Sequence, residues 1–284
     1  MGNIKAWIAL SRPPFHSVGV LPYILGGVLA WRVTGVFNWL VFFTGVCGVV
    51  FIMLATYYAG EYWDFKEDSL SMGRSRFAGG SQVLQKHMMP RKTALRASVV
   101  LLCCALIVGV ILQFLLCTGP WTLVLGLMGI LGGFFYSTRP IRWVSTGFGE
   151  LWIAFCYGWL PVAVGFYLHT ATLVPFVHVI AVPIGLTIFN VILLNEYPDR
   201  DADRTTGKMN LLARVGPHVG SYIYTTAAVL SWIGFAFSLY RGMTWWTGIL
   251  YVPVLLMSAV LVWSMLTGRW KDERMLERMC AVNI

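Results

Sequence analysis

The sequence predicts an all-α fold: a single polytopic membrane bundle of about eight transmembrane helices. Three observations carry this. Of 284 residues 58% are apolar and only 12% are charged, about half the charged share of a typical soluble domain. The mean hydropathy is +0.71. Apolar stretches long enough to cross a hydrocarbon core of about 30 Å recur along the chain. They are apolar all round, without the alternating polarity of a β-barrel strand.

The elements follow in order. MGNIKAWIALSRPPF lacks the basic region, apolar core and small-residue cleavage site of a signal peptide. Its Trp7, Ile8 and Leu10 beside Lys5 and Arg12 read as a short interfacial helix. Spans are expected at about 17–35, 38–61, 94–116, 121–138, 149–168, 172–196, 218–239 and 246–267. The short linker CTGP at 117–120 makes the third and fourth spans a hairpin. An even number of spans puts both termini on one side. That side holds nineteen of the 21 basic residues, and only Arg32 and Arg241 fall on the other. The basic side is therefore expected to be cytoplasmic, in a cell membrane of bacterial or archaeal type. The net charge of +9 reads as this bias together with an anionic ligand. No basic stretch is interleaved with stacking aromatics, so nucleic acid is not an expected partner. The six cysteines form no CxxC and lie mostly inside spans, where cysteine acts as a small apolar residue. Neither a disulfide nor a zinc site is expected. The five histidines are scattered singly and are not read as ligands.

The acidic residues are unevenly placed. Eight of twelve lie in two stretches, GEYWDFKED at 60–68 and NEYPDRDAD at 195–203. They align without a gap as E-Y-x-D-x-x-x-D, four spans apart, each at the end of a span on the same face. This reads as a parallel duplication of four helices, about 1–140 and 141–284. On a continuous helix Glu61, Asp64 and Asp68 share one face. Carboxylates at that spacing repel unless a cation lies between them. Hard oxygen ligands suit Mg²⁺, which takes a few carboxylates plus phosphate oxygens and water. Two facing clusters would hold Mg²⁺ and, through it, a diphosphate. Plain solvated helix ends are the competing reading, and a weak one, because acid is unfavourable at helix C-termini.

Basic residues follow each cluster: Arg74 and Arg76 in GRSRFAGGSQVL, Arg204 and Lys208 in DRTTGKMNLLARVG. A cation near a diphosphate stabilises it as a leaving group. Gly79, Gly80 and Gly207 permit tight turns beside it. Glu150 opens the fifth span near Tyr136 at the end of the fourth, and either lies at the interface or binds the polar end of a second substrate. Tyr57 and Tyr58 line a pocket or anchor the interface. Asp201 has no acidic counterpart at Lys66 and reads as a solvated neighbour. Asp272, Glu273 and Glu277 interleave with Lys271, Arg274 and Arg278 as a solvated amphipathic face.

At this point the sequence resembles the UbiA family of intramembrane prenyltransferases over nearly its whole length. SRPPFHSVGVLPYILG is similar to the family's opening segment. GEYWDFKED resembles its first aspartate motif, N-D-x-x-D-x-x-x-D, and Asp199 and Asp203 meet the second, D-x-x-x-D, followed by DRTTGK. FYSTRPIRWVSTGFGELWIAFCYGWLPVAVGFYL looks most like the branch that prenylates 1,4-dihydroxy-2-naphthoate in menaquinone synthesis. The resemblance implies a helix bundle around a central cavity. It implies Mg²⁺ on the aspartate motifs, an isoprenyl diphosphate donor whose tail lies in a lipid-facing groove, and an aromatic acceptor. By position, Asp64, Asp68, Asp199 and Asp203 take the catalytic metal-binding roles, with Glu61 in place of the first motif's first Asp. Arg74, Arg76, Asn195, Arg204 and Lys208 fall to the diphosphate, and Tyr57, Tyr136 and Glu150 to the acceptor. Gly60 stands where the family has Asn, so one polar contact is missing from the first cluster. The family usually has nine spans; ERMLERMCAVNI begins what would be the ninth and then stops, so that helix is either absent or truncated.

Within the family, other acceptors remain open: 4-hydroxybenzoate, another quinone precursor, haem, or a lipid alcohol. So does cyclisation of the donor alone. A cation-coupled transporter is the reading from another class. It would place acids near the bilayer midplane, whereas both clusters here end spans and run into basic loops.

Overall fold

A computed structural model describes residues 4–70 and 80–283, all helix and connecting loop with no strand among them. α1 (Ile4–Leu10) buries Ala6 and Leu10, with Trp7 against Tyr58. A 3₁₀ turn at Pro13–His16 leads into α2 (Ser17–Thr34), which ends at Gly35 with φ 71°. α3 (Trp39–Trp63) starts on Asn38, whose Oδ1 accepts from the amides of Leu40 and Val41, satisfying two free N–H groups of the first turn. α4 (Phe65–Leu70) follows at once. α5 (Arg91–Val110) runs on through a π turn to Leu115, and α6 (Thr122–Ser137) returns from it. α7 (Gly149–Ile153), a π turn and α8 (Leu160–Thr170) make one continuous span. Pro175 opens α9 (Pro175–Asn195), a first-turn position where its missing N–H costs nothing. α10 (Arg200–Thr206) and α11 (Leu211–Val215) are short. α12 (Pro217–Tyr240), α13 (Trp245–Leu266) and α14 (Glu273–Asn283) complete the chain.

Among the described residues seven helices are long and apolar enough to cross a membrane. The expected fourth span, 121–138, is α6, with only 16 residues and a length of about 24 Å. It stops because Thr138 turns extended before Arg139–Pro140. Its last residue, Ser137, therefore ends inside the bundle, at the polar site described below. The lipid-facing shell stays apolar, as Leu250 and Leu256 on α13 show.

α3 packs on α5, and α9 packs on α12, while α2 and α8 join the two sets. The α2–α8 seam is a contact of backbones. A Cβ on Gly26 would lie under 3.0 Å from Val162 O, and one on Gly165 equally close to Tyr23 O. Small residues let membrane helices approach this closely. α14 is not only a solvated face. Leu276, Met279 and Cys280 are buried in the cluster around Leu193 and Tyr224. Asn283 accepts from the Tyr224 hydroxyl at 2.9 Å and donates to Asn190 O at 3.0 Å.

Candidate active site

Both acidic motifs are built alike, with a break that sequence spacing does not reveal. α3 ends at Trp63, and Asp64 (φ −90°, ψ 14°) forms the joint with α4. α9 ends at Asn195, and Asp199 (φ −92°, ψ −10°) precedes α10. The amide of Asp68 donates to Asp64 O at 2.9 Å, and that of Asp203 to Asp199 O at 2.9 Å. The expected single helical face is thus divided. The carboxylates leave the C-terminal end of a long helix for the first turn of a short one, where negative charge is favourable.

The two motifs face one cavity of about 1190 Å³, counted out to its open mouth. Glu61, Asp64 and Asp68 line it from the first motif, and Asn195, Asp199 and Asp203 from the second. Lys208, Arg12, Tyr57, Tyr136 and Glu196 are also among its polar lining. Ser137 Oγ donates to Asp64 Oδ2 at 2.5 Å. Arg142 Nη2 donates to Asp64 Oδ1 at 3.3 Å and to Glu67 Oε1 at 2.6 Å. Asp203 is 2% exposed. It accepts from Asn210 Nδ2 at 2.8 Å and pairs with Lys208 Nζ at 3.4 Å. Burial alone would lower the Lys208 pKa, but the carboxylates of Asp64, Asp203, Asp68 and Asp199 outweigh it and hold the ammonium charged. Lys208 is the cation that both motifs share.

The residues present fit Mg²⁺. Ser81 N donates to Glu61 Oε1 at 2.5 Å, while Glu61 Oε2 is buried without a hydrogen-bond partner. The loop passes over Glu61 and Asp68 at Gly80 (φ 64°), where a Cβ would collide with Asp68 Oδ2 and crowd Glu61 Oε1. Among the described residues no three acid, His or Cys side chains close around a single point. The donors are all oxygen and stand in two separate groups. That suits an ion that keeps waters and takes phosphate oxygens as ligands rather than one caged by protein alone.

Burial raises the Asp203 carboxyl to about 6, against the opposing pull of Lys208. A proton then competes with metal for this group below that pH. Burial holds the Asp68 carboxyl well above the usual range as well, so apparent Mg²⁺ affinity is expected to fall as pH drops through about 6, toward tenfold per unit for each carboxylate protonated. Titration of the purified protein with Mn²⁺ or Mg²⁺ across that range measures this, and a flat profile would contradict it.

The structure brings together Glu61, Asp64, Asp68, Asn195, Asp199, Asp203, Lys208, Tyr57 and Tyr136. Arg204 is exposed and does not line the cavity, because its side of α10 faces away from it. Asp201 is exposed too, paired with Arg200 at 3.2 Å. Arg74 and Arg76 lie outside the described residues, as does Gly79. Glu150 stands behind the cavity wall, 1% exposed, and its Oε1 accepts from Leu211 N at 2.8 Å. Sequence reasoning passed over Arg142, Ser137 and Asn210 as partners of the acids. No local signal marks the first two; they arrive from the α6 end and the following loop. A Cβ on Gly60 would lie 3.7 Å from Ser137 Oγ. The serine hydroxyl thus supplies a polar contact to Asp64 beside the position that lacks an amide.

A transmembrane helix bundle with paired acidic motifs around a buried polar cavity defines a class of intramembrane enzyme, and the comparisons place the chain within it. The UbiA prenyltransferase family profile matches residues 20–281. The chain belongs to this family and is a prenyltransferase. It is 30% identical over 229 residues to the 1,4-dihydroxy-2-naphthoate octaprenyltransferase of Bacillus subtilis (strain 168), covering 80% of this chain and 70% of that one. The Escherichia coli (strain K12) protein of the same name is 28% identical over 222 residues, 76% of this chain and 70% of that one. Among solved structures, a UbiA homolog from Archaeoglobus fulgidus bound to DMAPP and Mg²⁺ superposes with a TM-score of 0.71 at 15% identity. That match covers 98% of this chain and 97% of the other.

Proposed function

We propose that the protein transfers a prenyl group from an isoprenyl diphosphate to 1,4-dihydroxy-2-naphthoate, at a site on the cytoplasmic side of the membrane. One observation carries the chemistry. Two acidic motifs sharing Lys208 face a polar cavity that joins an apolar one. The second space, about 780 Å³, is lined by glycines such as Gly45, Gly129 and Gly133 and meets the first at Thr56 and Tyr157. A diphosphate head fits the polar part and a prenyl tail the apolar part. The relatives named for naphthoate prenylation support this acceptor, and the neighbour bound to DMAPP and Mg²⁺ supports the donor and the ion.

Glu61, Asp64, Asp68, Asp199 and Asp203 would hold Mg²⁺, which when bound supplies charge neutralisation to the diphosphate. Arg142 and Ser137 hold Asp64 in place, and Asn210 holds Asp203. Lys208, Arg74, Arg76 and the Asn195 amide bind the diphosphate oxygens. Preorganised charge of this kind acts most strongly as the leaving group forms. The bond from prenyl C1 to oxygen breaks, and its electron pair leaves with diphosphate. A ring carbon of the acceptor supplies the pair for the new carbon–carbon bond, and the ring then loses a proton or CO₂. The glycine-lined apolar space keeps water from the allylic cation. Tyr57 and Tyr136 flank the acceptor.

Purified protein with Mg²⁺, a prenyl diphosphate and dihydroxynaphthoate is expected to yield a prenylated ring and one diphosphate per turnover. Turnover with 4-hydroxybenzoate but none with dihydroxynaphthoate would overturn the acceptor.

A further inference from the structure

Glu196 is the aligned counterpart of Glu61 in the second motif, but unlike Glu61 it is assigned to neither metal nor diphosphate. Glu196 follows α9 directly, lines the cavity and is 8% exposed. Among the described residues no backbone N–H, hydroxyl or cationic group donates to either of its carboxylate oxygens, and its hydrogen-bond contact is with the carboxyl of Glu150. Behind it stands Glu150, whose Oε2 is likewise without a donor. Asp64 and Asp203, by contrast, each have a donor on both oxygens. A buried group that can only accept carries a large desolvation penalty until something donates to it. Burial, and then the neighbouring Glu150 carboxylate, push the Glu196 carboxyl well above the usual carboxylate range. Lys208, the nearest cation, is already paired with Asp203. Tyr136 also faces the pair. The same cavity is lined by the apolar Val144, Ile153, Ile188 and Ile192. A ligand here must bring an uncharged hydrogen-bond donor on an apolar frame.

We propose that Glu196, backed by Glu150, is the subsite that accepts a hydrogen bond from a ring hydroxyl of the aromatic acceptor. This rests on the prenyl-transfer reading above. Even with one proton held between them the two carboxyls carry a negative charge, so an acceptor carboxylate turns away from the pair. Glu196 thereby fixes which way round the ring enters. The hydroxyl becomes a better donor as the ring gives up electrons to the prenyl carbon, so the bond strengthens toward the transition state.

The test compares dihydroxynaphthoate with its two mono-methyl ethers, using the full-length protein, Mg²⁺ and a prenyl diphosphate. Wild type is expected to lose roughly 10- to 100-fold in kcat/KM on one of the two ethers. Glu196→Gln is expected to lose a similar factor on the diol and to stop distinguishing the diol from that ether. Its donor KM and Mg²⁺ affinity stay at the wild-type values, which also reports a folded site. Indifference of the wild type to both ethers overturns the proposal whatever the variant does. So does a Glu196→Gln protein that keeps the discrimination, or one whose Mg²⁺ or donor binding falls as far as its use of acceptor. Wild type that transfers nothing to the diol removes the acceptor reading, and this subsite with it.

Discussion

Replacing Asp64 by Asn is expected to lower prenyl transfer by roughly 10²- to 10³-fold, the scale of removing one preorganised charge contact from a leaving-group site. Asp64 is the joint between α3 and α4, and its two oxygens are fixed by Ser137 and Arg142. Asn keeps the shape and removes the charge. Arg142 retains Glu67 as a partner at 2.6 Å, so the loop that carries it stays anchored. Asp199→Asn is expected to act alike, because Asp199 forms the same joint before α10. Asp201→Asn, two residues further on, is the control. That side chain is 76% exposed and pairs only across the surface with Arg200, an interaction worth about 0–1 kcal/mol. Diphosphate release reads all three. Undiminished release from both Asp64→Asn and Asp199→Asn would sink the metal-site reading.

The second large effect lies far from the acids. Gly165→Ala adds one methyl group where α8 meets the backbone of α2, under 3.0 Å from Tyr23 O. Backbone cannot rotate aside as a side chain can, so the helices must separate along the seam that joins the two halves. The expected loss is about 2 kcal/mol or more. Gly126→Ala is its opposite. A Cβ there meets nothing within 4 Å, and alanine is the better helix former by up to about 1 kcal/mol. Unfolding of the two variants in detergent should therefore shift in opposite directions. Equal shifts would mean that the α2–α8 contact does not limit stability.

Much of the molecule was legible in its sequence. The spans follow from uninterrupted apolar length, and the structure moves their ends by only a few residues. The paired motifs were legible because eight of twelve acids occupy two aligned stretches of an otherwise apolar chain. Such concentration is costly in a membrane protein unless a site uses it. Lys208 emerged from its place after the second motif. Arg204 emerged from the same pattern but turned outward, since residues on one short helix face both cavity and solvent.

What the sequence by itself determined was the class of fold, all but one of the expected membrane-length helices and the grouping of the acids into two motifs, because hydrophobic length and carboxylate spacing are local properties of the chain. Only the tertiary structure decided which groups hold those acids. Ser137 and Arg142 reach Asp64 from more than seventy residues away, and α6 delivers them by stopping short. It also decided that Glu150 and Glu196 stand together, a pairing between two spans that neither stretch announces. Their energetic meaning comes from burial and from the lack of a donor, and both are properties of the packed bundle.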